Sequence, residues 1–119
     1  MSGMAQTVLG SIPTHHLGIT LMHEHLLLDL DCYFDEPEAA SEKKFIHAPL
    51  EFNLLGKYGA RWSYNKEGLH LHDIDLAINE AKEFKFAGGN TIVDTTNVGI
   101  GRDPSGLAKI ARSTGLNII

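Results

Sequence analysis

Cysteine is almost missing from this sequence. Cys32 is the only one in 119 residues, so no internal disulfide can form, and a reducing, cytoplasmic setting is the expectation. Long apolar runs are missing as well. None approaches the ~18 residues that a membrane span needs. Met1–Gly10 is too polar for a signal peptide, so no membrane partner is expected. Basic clusters are the third absence. Ten Lys and Arg stand against fifteen Asp and Glu, a formal charge of −5, and no positive patch is left to follow a nucleic acid. What remains is 43% hydrophobic and 21% charged residues, the composition of one ordinary globular domain.

Histidine, by contrast, is well supplied, and the stretch Gly18–Leu26 organises the rest of the chain. It reads as an apolar strand ending in His23-Glu24-His25. Side chains alternate along a strand, so His23 and His25 face one way and Glu24 the other. Two imidazoles at one stiff strand end can grip a metal, and a catalytic zinc needs about three protein ligands plus an open position for water. Spacing by itself is a weak signal in a chain with seven histidines. A second pair, His70-Leu71-His72, has the same spacing but lies in a polar stretch before a helix start. It is expected to be solvated and without a role, so strand context separates the two pairs and spacing does not.

Gln6–Leu9 and His16–Thr20 read as extended, with Gly10, Ser11 and Pro13 turning between them as a hairpin into the main strand. His15-His16 falls on this exposed lead-in. Leu26–Ala48 shows no period, with acidic residues and Pro37 breaking its apolar positions, and is expected to be a long loop. Pro49–Tyr58 reads as a helix stopped by Gly59. Arg61, Trp62 and Tyr64 follow in a loop. Asp73–Ala87 is a capped helix with an apolar stripe at Ile74, Ala77, Ile78, Ala81 and Phe84, ended by Gly88-Gly89. Thr91–Asp94 is a β-branched, buried strand. Asp103-Pro104 opens another helix, which buries Leu107, Ile110 and Ala111 and closes at Gly115. Asn117–Ile119 begins a further strand.

Strands alternating with helices imply an α/β fold of parallel βαβ units, in which ligands sit beyond the carboxyl ends of the strands. His23 and His25 occupy one such end, and Asp94 with Thr95, Thr96 and Asn97 the next. Three parallel strands with so few helices leave sheet faces uncovered. The sequence stops at Ile119 inside an apolar strand. The chain is therefore expected to be an incomplete N-terminal portion, residues 1–119, of a single larger domain.

Three segments together resemble the phosphotriesterase family of the metal-dependent amidohydrolase superfamily, including its phosphotriesterase-related members. They are Thr7-Val8-Leu9-Gly10 followed by Gly18–His25; Gly89–Thr96 followed by Gly101-Arg102-Asp103; and Thr114–Ile119. The resemblance spans nearly the whole chain. It implies the N-terminal part of a (β/α)8 TIM barrel, which takes ~250 residues: the lead-in hairpin, two strands with their helices and the start of the third strand. It implies two divalent metal ions, commonly zinc, bridged by a hydroxide and often by a carbamylated lysine. By position His23 and His25 are the metal ligands carried over. The family's remaining ligands, two histidines and an aspartate among them, come from later strands and have no counterpart here. No catalytic residue is thus expected within this chain. Asp94 and the Gly101-Arg102-Asp103 turn match the family pattern and are expected to build the barrel first and the pocket second.

The activity so implied is hydrolysis of a small-molecule phosphoester, lactone or N-acyl amide by the metal-bridging hydroxide, with a homodimer of the parent left open. The chain by itself is expected to be inactive, to bind metal weakly, and to be insoluble, partly ordered or self-associating. The contrasting expectation is a non-catalytic truncated remnant or interaction module. The coding sequence beyond Ile119 separates the two.

Overall fold

The computed structural model describes residues 3–52, 56 and 62–119. Of the helix expected over Pro49–Tyr58, Pro49, Leu50 and Glu51 are not helical and Phe52 and Gly56 are; its other five residues lie outside the described ones, as does Arg61. The chain opens with an antiparallel hairpin of β1 (Met4–Thr7) and β2 (Gly10–Pro13), in register from Met4 opposite Pro13 to Thr7 opposite Gly10. This hairpin sits earlier than its sequence signals suggest. The turn falls on Val8 and Leu9, while the Thr7 hydroxyl bonds Gly10 O at 2.8 Å and accepts from Leu9 N at 3.2 Å. His15 and His16 lie in an exposed turn of 3-10 helix, Thr14–His16.

β3 (Thr20–Glu24), β6 (Thr91–Asp94) and β7 (Asn117–Ile118) form a parallel sheet with β6 in the centre. The helices α2 (Ile74–Phe86) and α3 (Pro104–Thr114) supply the crossovers. Each begins on a cap legible in the sequence. The Asp73 carboxylate accepts from the backbone N–H of Asp75 and Leu76, both at 2.9 Å, and Asp103 accepts from Gly106 N at 2.9 Å with Pro104 in the first turn. At the far end of α3, Gly115 takes φ +70°, the left-handed cap for which glycine carries no Cβ penalty.

The core is a single cluster beneath the sheet. Ala77, Ile78 and Ala81 of α2, and Leu107, Ile110 and Ala111 of α3, pack with Ile92, Leu116, Ile118 and Leu27. Ile74 and Phe84 pack against it from the expected stripe. At ~1.5–3 kcal/mol for each fully buried aliphatic side chain, this cluster outweighs any surface ion pair in fixing the sheet on its helices. β3 stands at the sheet edge among the described strands, with Ile19 and Met22 63% and 69% exposed.

The excursion between β3 and α2 is more ordered than a long loop. It contains β4 (Leu28–Asp29) paired antiparallel with β5 (His70–Leu71), a 3-10 turn at Asp31–Tyr33 and a short helix, α1 (Ala40–Lys43). Fully buried Asn65 holds it closed. Its amide donates to Phe45 O and Ala48 O, both at 2.8 Å, and its carbonyl accepts from Gly68 N at 2.8 Å. No buried side-chain polar atom among the described residues lacks a partner.

Candidate metal centre

β3 carries His23 to the carboxyl end of the sheet, and His25 follows one residue past the strand. The pairing with β6 slips between Leu21 and Glu24, so β3 spends three residues where β6 spends two. Such a bulge re-aims side chains beside it. The two rings lie 5.6 Å apart between centroids and cross at 76°. Two imidazoles sharing one tetrahedral zinc, with Zn–N of ~2.0–2.1 Å, have centroids about 5.3 Å apart. The observed separation of 5.6 Å is within a few tenths of an ångström of that value.

His25 is set by residues of the β6 end. Its Nδ1 lies 2.9 Å from Thr96 Oγ1. The Thr96 hydroxyl has one hydrogen, and it goes to Leu27 O at 3.1 Å. Thr96 therefore accepts from His25, which places the ring proton on Nδ1 and leaves the lone pair on Nε2. A metal-binding imidazole needs this division, because the hydrogen bond at one nitrogen fixes the tautomer presented by the other. Only a long contact of 3.5 Å, from Thr95 Oγ1, reaches Nε2. Thr96 is 5% exposed, so its hydrogen bonds are shielded from competing water.

Asp94 fixes the same turn through its carboxylate. One oxygen accepts from Leu26 N at 2.8 Å, the other from Thr96 N at 2.9 Å. Asp94 thus clamps the segment after β3 to the segment after β6, the structural role expected of it. Asp103 is an N-cap, and the Asn97 side chain likewise accepts from Gly99 N at 2.8 Å. Thr96 was the partner missed from sequence. Its separation of 71 residues from His25 leaves no local signal.

The second histidine pair departs from expectation. His70 lies in β5, directly opposite Asp29 of β4, and not in a polar lead-in. His70 Nε2 bonds Asp31 Oδ1 at 2.9 Å and lies 3.7 Å from Asp29 Oδ1, while His72 Nε2 lies 3.6 Å from Asp29 Oδ2. The two rings stack, 4.7 Å apart and 17° from parallel. Only His72 keeps the expected solvated character, at 59% exposed against 25% for His70. The Asp31 backbone N–H, with His70 and His72 beside it, holds the Asp29 carboxyl below the usual carboxylate range. Asp29, His70 and His72 offer three ligand atoms within 4.8 Å of one another. His70, His72 and His25 line one cleft of about 210 Å³, together with Leu26, Asp73 and Glu80.

No helix among the described residues is long and apolar enough to cross a membrane. Comparison with known proteins supplies the family. The N-acetyltaurine hydrolase of Xenopus tropicalis is 41% identical over 120 residues, covering 100% of this chain and 34% of that protein. A resiniferatoxin-binding protein from Rhodobacter sphaeroides superposes with a TM-score of 0.93 at 41% identity, covering 98% of this chain and 33% of that one. An organophosphorus hydrolase from Deinococcus radiodurans gives 0.61 at 26% identity, covering 98% and 27%. The chain thus spans about a third of the length of the curated relatives it matches. Its fold is that of the N-terminal part of a (β/α)8 barrel, although no barrel closes among the described residues. The sequence profile of the phosphotriesterase family matches residues 3–119, and the chain belongs to that family.

Proposed function

We propose that this chain is the N-terminal part of a single barrel domain, that of a binuclear metal-dependent hydrolase of small-molecule acyl or phosphoryl compounds, with His23 and His25 as its ligands to one metal. The observation that carries the reading is the His25–Thr96–Leu27 hydrogen-bond chain. It puts a ring proton on His25 Nδ1 and leaves Nε2, which only the long Thr95 contact reaches, as the atom for a metal, beside a second imidazole 5.6 Å away between centroids. When bound, the metal pair supplies activated water near neutral pH and polarises the carbonyl or phosphoryl oxygen of the substrate. The chain's own contribution is positional. β3 presents the two rings, Thr96 holds the His25 tautomer, and Asp94 prevents the turn at His25–Leu26 from opening.

Among the substrate classes of the family, an N-acyl amide is favoured, because several curated relatives are named N-acetyltaurine hydrolases. Zinc is the metal proposed, since two imidazoles suit it. Two ligands are fewer than a catalytic zinc site requires, so residues 1–119 alone are inactive in this reading. The test is hydrolysis of N-acetyltaurine, a lactone and a phosphotriester by the intact protein, before and after chelation. Turnover that chelation abolishes and zinc restores is the expected result. Turnover indifferent to chelation, or supported by residues 1–119 alone, would overturn the reading.

A further inference from the structure

We propose that Asp29, His70 and His72 form a second zinc-type site, a place where the excursion takes up a divalent transition-metal ion of its own. The donor set is two imidazoles and one carboxylate, the composition that zinc accepts when three protein groups bind it and water takes the fourth position. The spacing is close to that of a bound ion. Asp29 Oδ1 is 3.7 Å from His70 Nε2, and Asp29 Oδ2 is 3.6 Å from His72 Nε2. In a tetrahedral zinc site, ligand atoms at ~2.0–2.1 Å from the metal are about 3.3 Å apart. The two rings approach different oxygens of the carboxylate, so with one oxygen as ligand the three donor atoms, which lie within 4.8 Å of one another, must draw together by up to about 1.5 Å.

Backbone geometry sets these positions. Asp29 and His70 are cross-strand partners in β4 and β5. His72 follows on the same chain and stacks on His70. Gly101 packs against the other side of Asp29, where a Cβ would lie 2.7 Å from Asp29 Cβ and 3.0 Å from Asp29 N. One edge must change. Stacked rings aim their nitrogens nearly parallel, so a shared ion requires the 17° stack to open towards a crossed arrangement. His72 is 59% exposed and can make that rotation, and it borders the cleft from which water would complete the coordination. His70 Nε2 exchanges its hydrogen bond to Asp31 for the metal. Its proton moves to Nδ1 or to solvent, and Asp31 Oδ1 keeps the Lys66 ammonium, 3.8 Å away.

This site does not depend on the hydrolase reading, and the experiment keeps the two apart. Zinc is titrated against a chromophoric chelator in the intact protein, in H70N/H72N, in D29N and in H23N/H25N. The expected result is one equivalent bound by the unmutated protein that H70N/H72N lacks, that D29N holds at least tenfold more weakly, and that H23N/H25N retains. The same titration is followed on the unmutated protein through its imidazole nitrogen resonances, which requires no variant to fold. His70 and His72 should shift together as their stack opens. Identical titration of H70N/H72N and the unmutated protein would overturn the site, as would zinc shifts confined to His15, His16 or His47.

Discussion

His23-Glu24-His25 and His70-Leu71-His72 have the same spacing and opposite architecture. The first pair lies at the carboxyl end of a parallel sheet seated on the main core. Its rings cross at 76°, and one ring is locked through its inner nitrogen to a buried threonine. The second sits on a two-residue ribbon within an excursion. Its rings are stacked at 17° and held by two carboxylates at a half-exposed surface. The crossed pair has no anionic partner among the described residues. The stacked pair has its anion in place and must reorient. A His-x-His spacing thus sets which side chains are near one another, while the supporting hydrogen bonds decide whether the lone pairs converge.

That contrast is testable in graded steps in the intact protein. Replacing His23 and His25 together with Asn removes both metal–nitrogen bonds. Hydrolysis, and zinc bound beyond the equivalent assigned to Asp29, His70 and His72, should fall by more than the ~10–100-fold that loss of a supporting hydrogen bond costs. Unchanged hydrolysis, or that further zinc retained by the variant, would break the comparison at its stronger end. Thr96→Val tests the support alone. It leaves Leu27 O without its donor and frees the His25 tautomer, so metal affinity should drop ~10–100-fold and stability by ~1–3 kcal/mol. Thr96→Ser, which keeps the hydroxyl, should recover most of both. If Val and Ser bind metal alike, the hydroxyl does not set the tautomer.

Gly101→Ala acts on the other pair from outside it. At φ +83° an alanine is strained by ~1–2 kcal/mol, and its Cβ would press on Asp29. Denaturant unfolding should show at least that loss, and zinc uptake at Asp29, His70 and His72 should weaken, with uptake at His23 and His25 spared. The smallest effect is expected from His70→Asn with His72→Asn in the absence of zinc. These ion pairs lie at a partly exposed surface, so stability should stay within ~0.5 kcal/mol. A larger loss would mean that the ribbon itself holds the excursion shut.

Much of this arrangement was legible in the sequence, and what was not follows a rule. α2, α3 and β6 announce themselves because Asp73, Asp103, Gly115 and the apolar stripes act on neighbours within a turn or two. The strand under His23 was legible for the same reason. β5 was not, because two residues have no periodicity. Its existence depends on Leu28 and Asp29, some forty positions earlier. The hairpin was misplaced because its turn uses Val8 and Leu9, apolar residues that sequence rules read as strand. Thr96 was placed at the carboxyl end of its strand, but nothing in the sequence pairs its hydroxyl with an imidazole. Only the fold brings it to His25.

Asn65 has a consequence for how such proteins diversify. By tying Phe45 and Ala48 to Gly68, it closes the outer part of the excursion on itself, while Leu26, Leu27 and Asp29 stay tied to the β6 end and the core. Lengthening a closed loop costs little, roughly 0.6 kcal/mol for each doubling. Insertions outside the Asn65 knot can therefore be tried and discarded without disturbing the histidines on β3. The chain thus separates a part that must stay fixed from a part that is free to be rewritten. New surfaces can be drafted there while the strand end that carries His23 stays as it is.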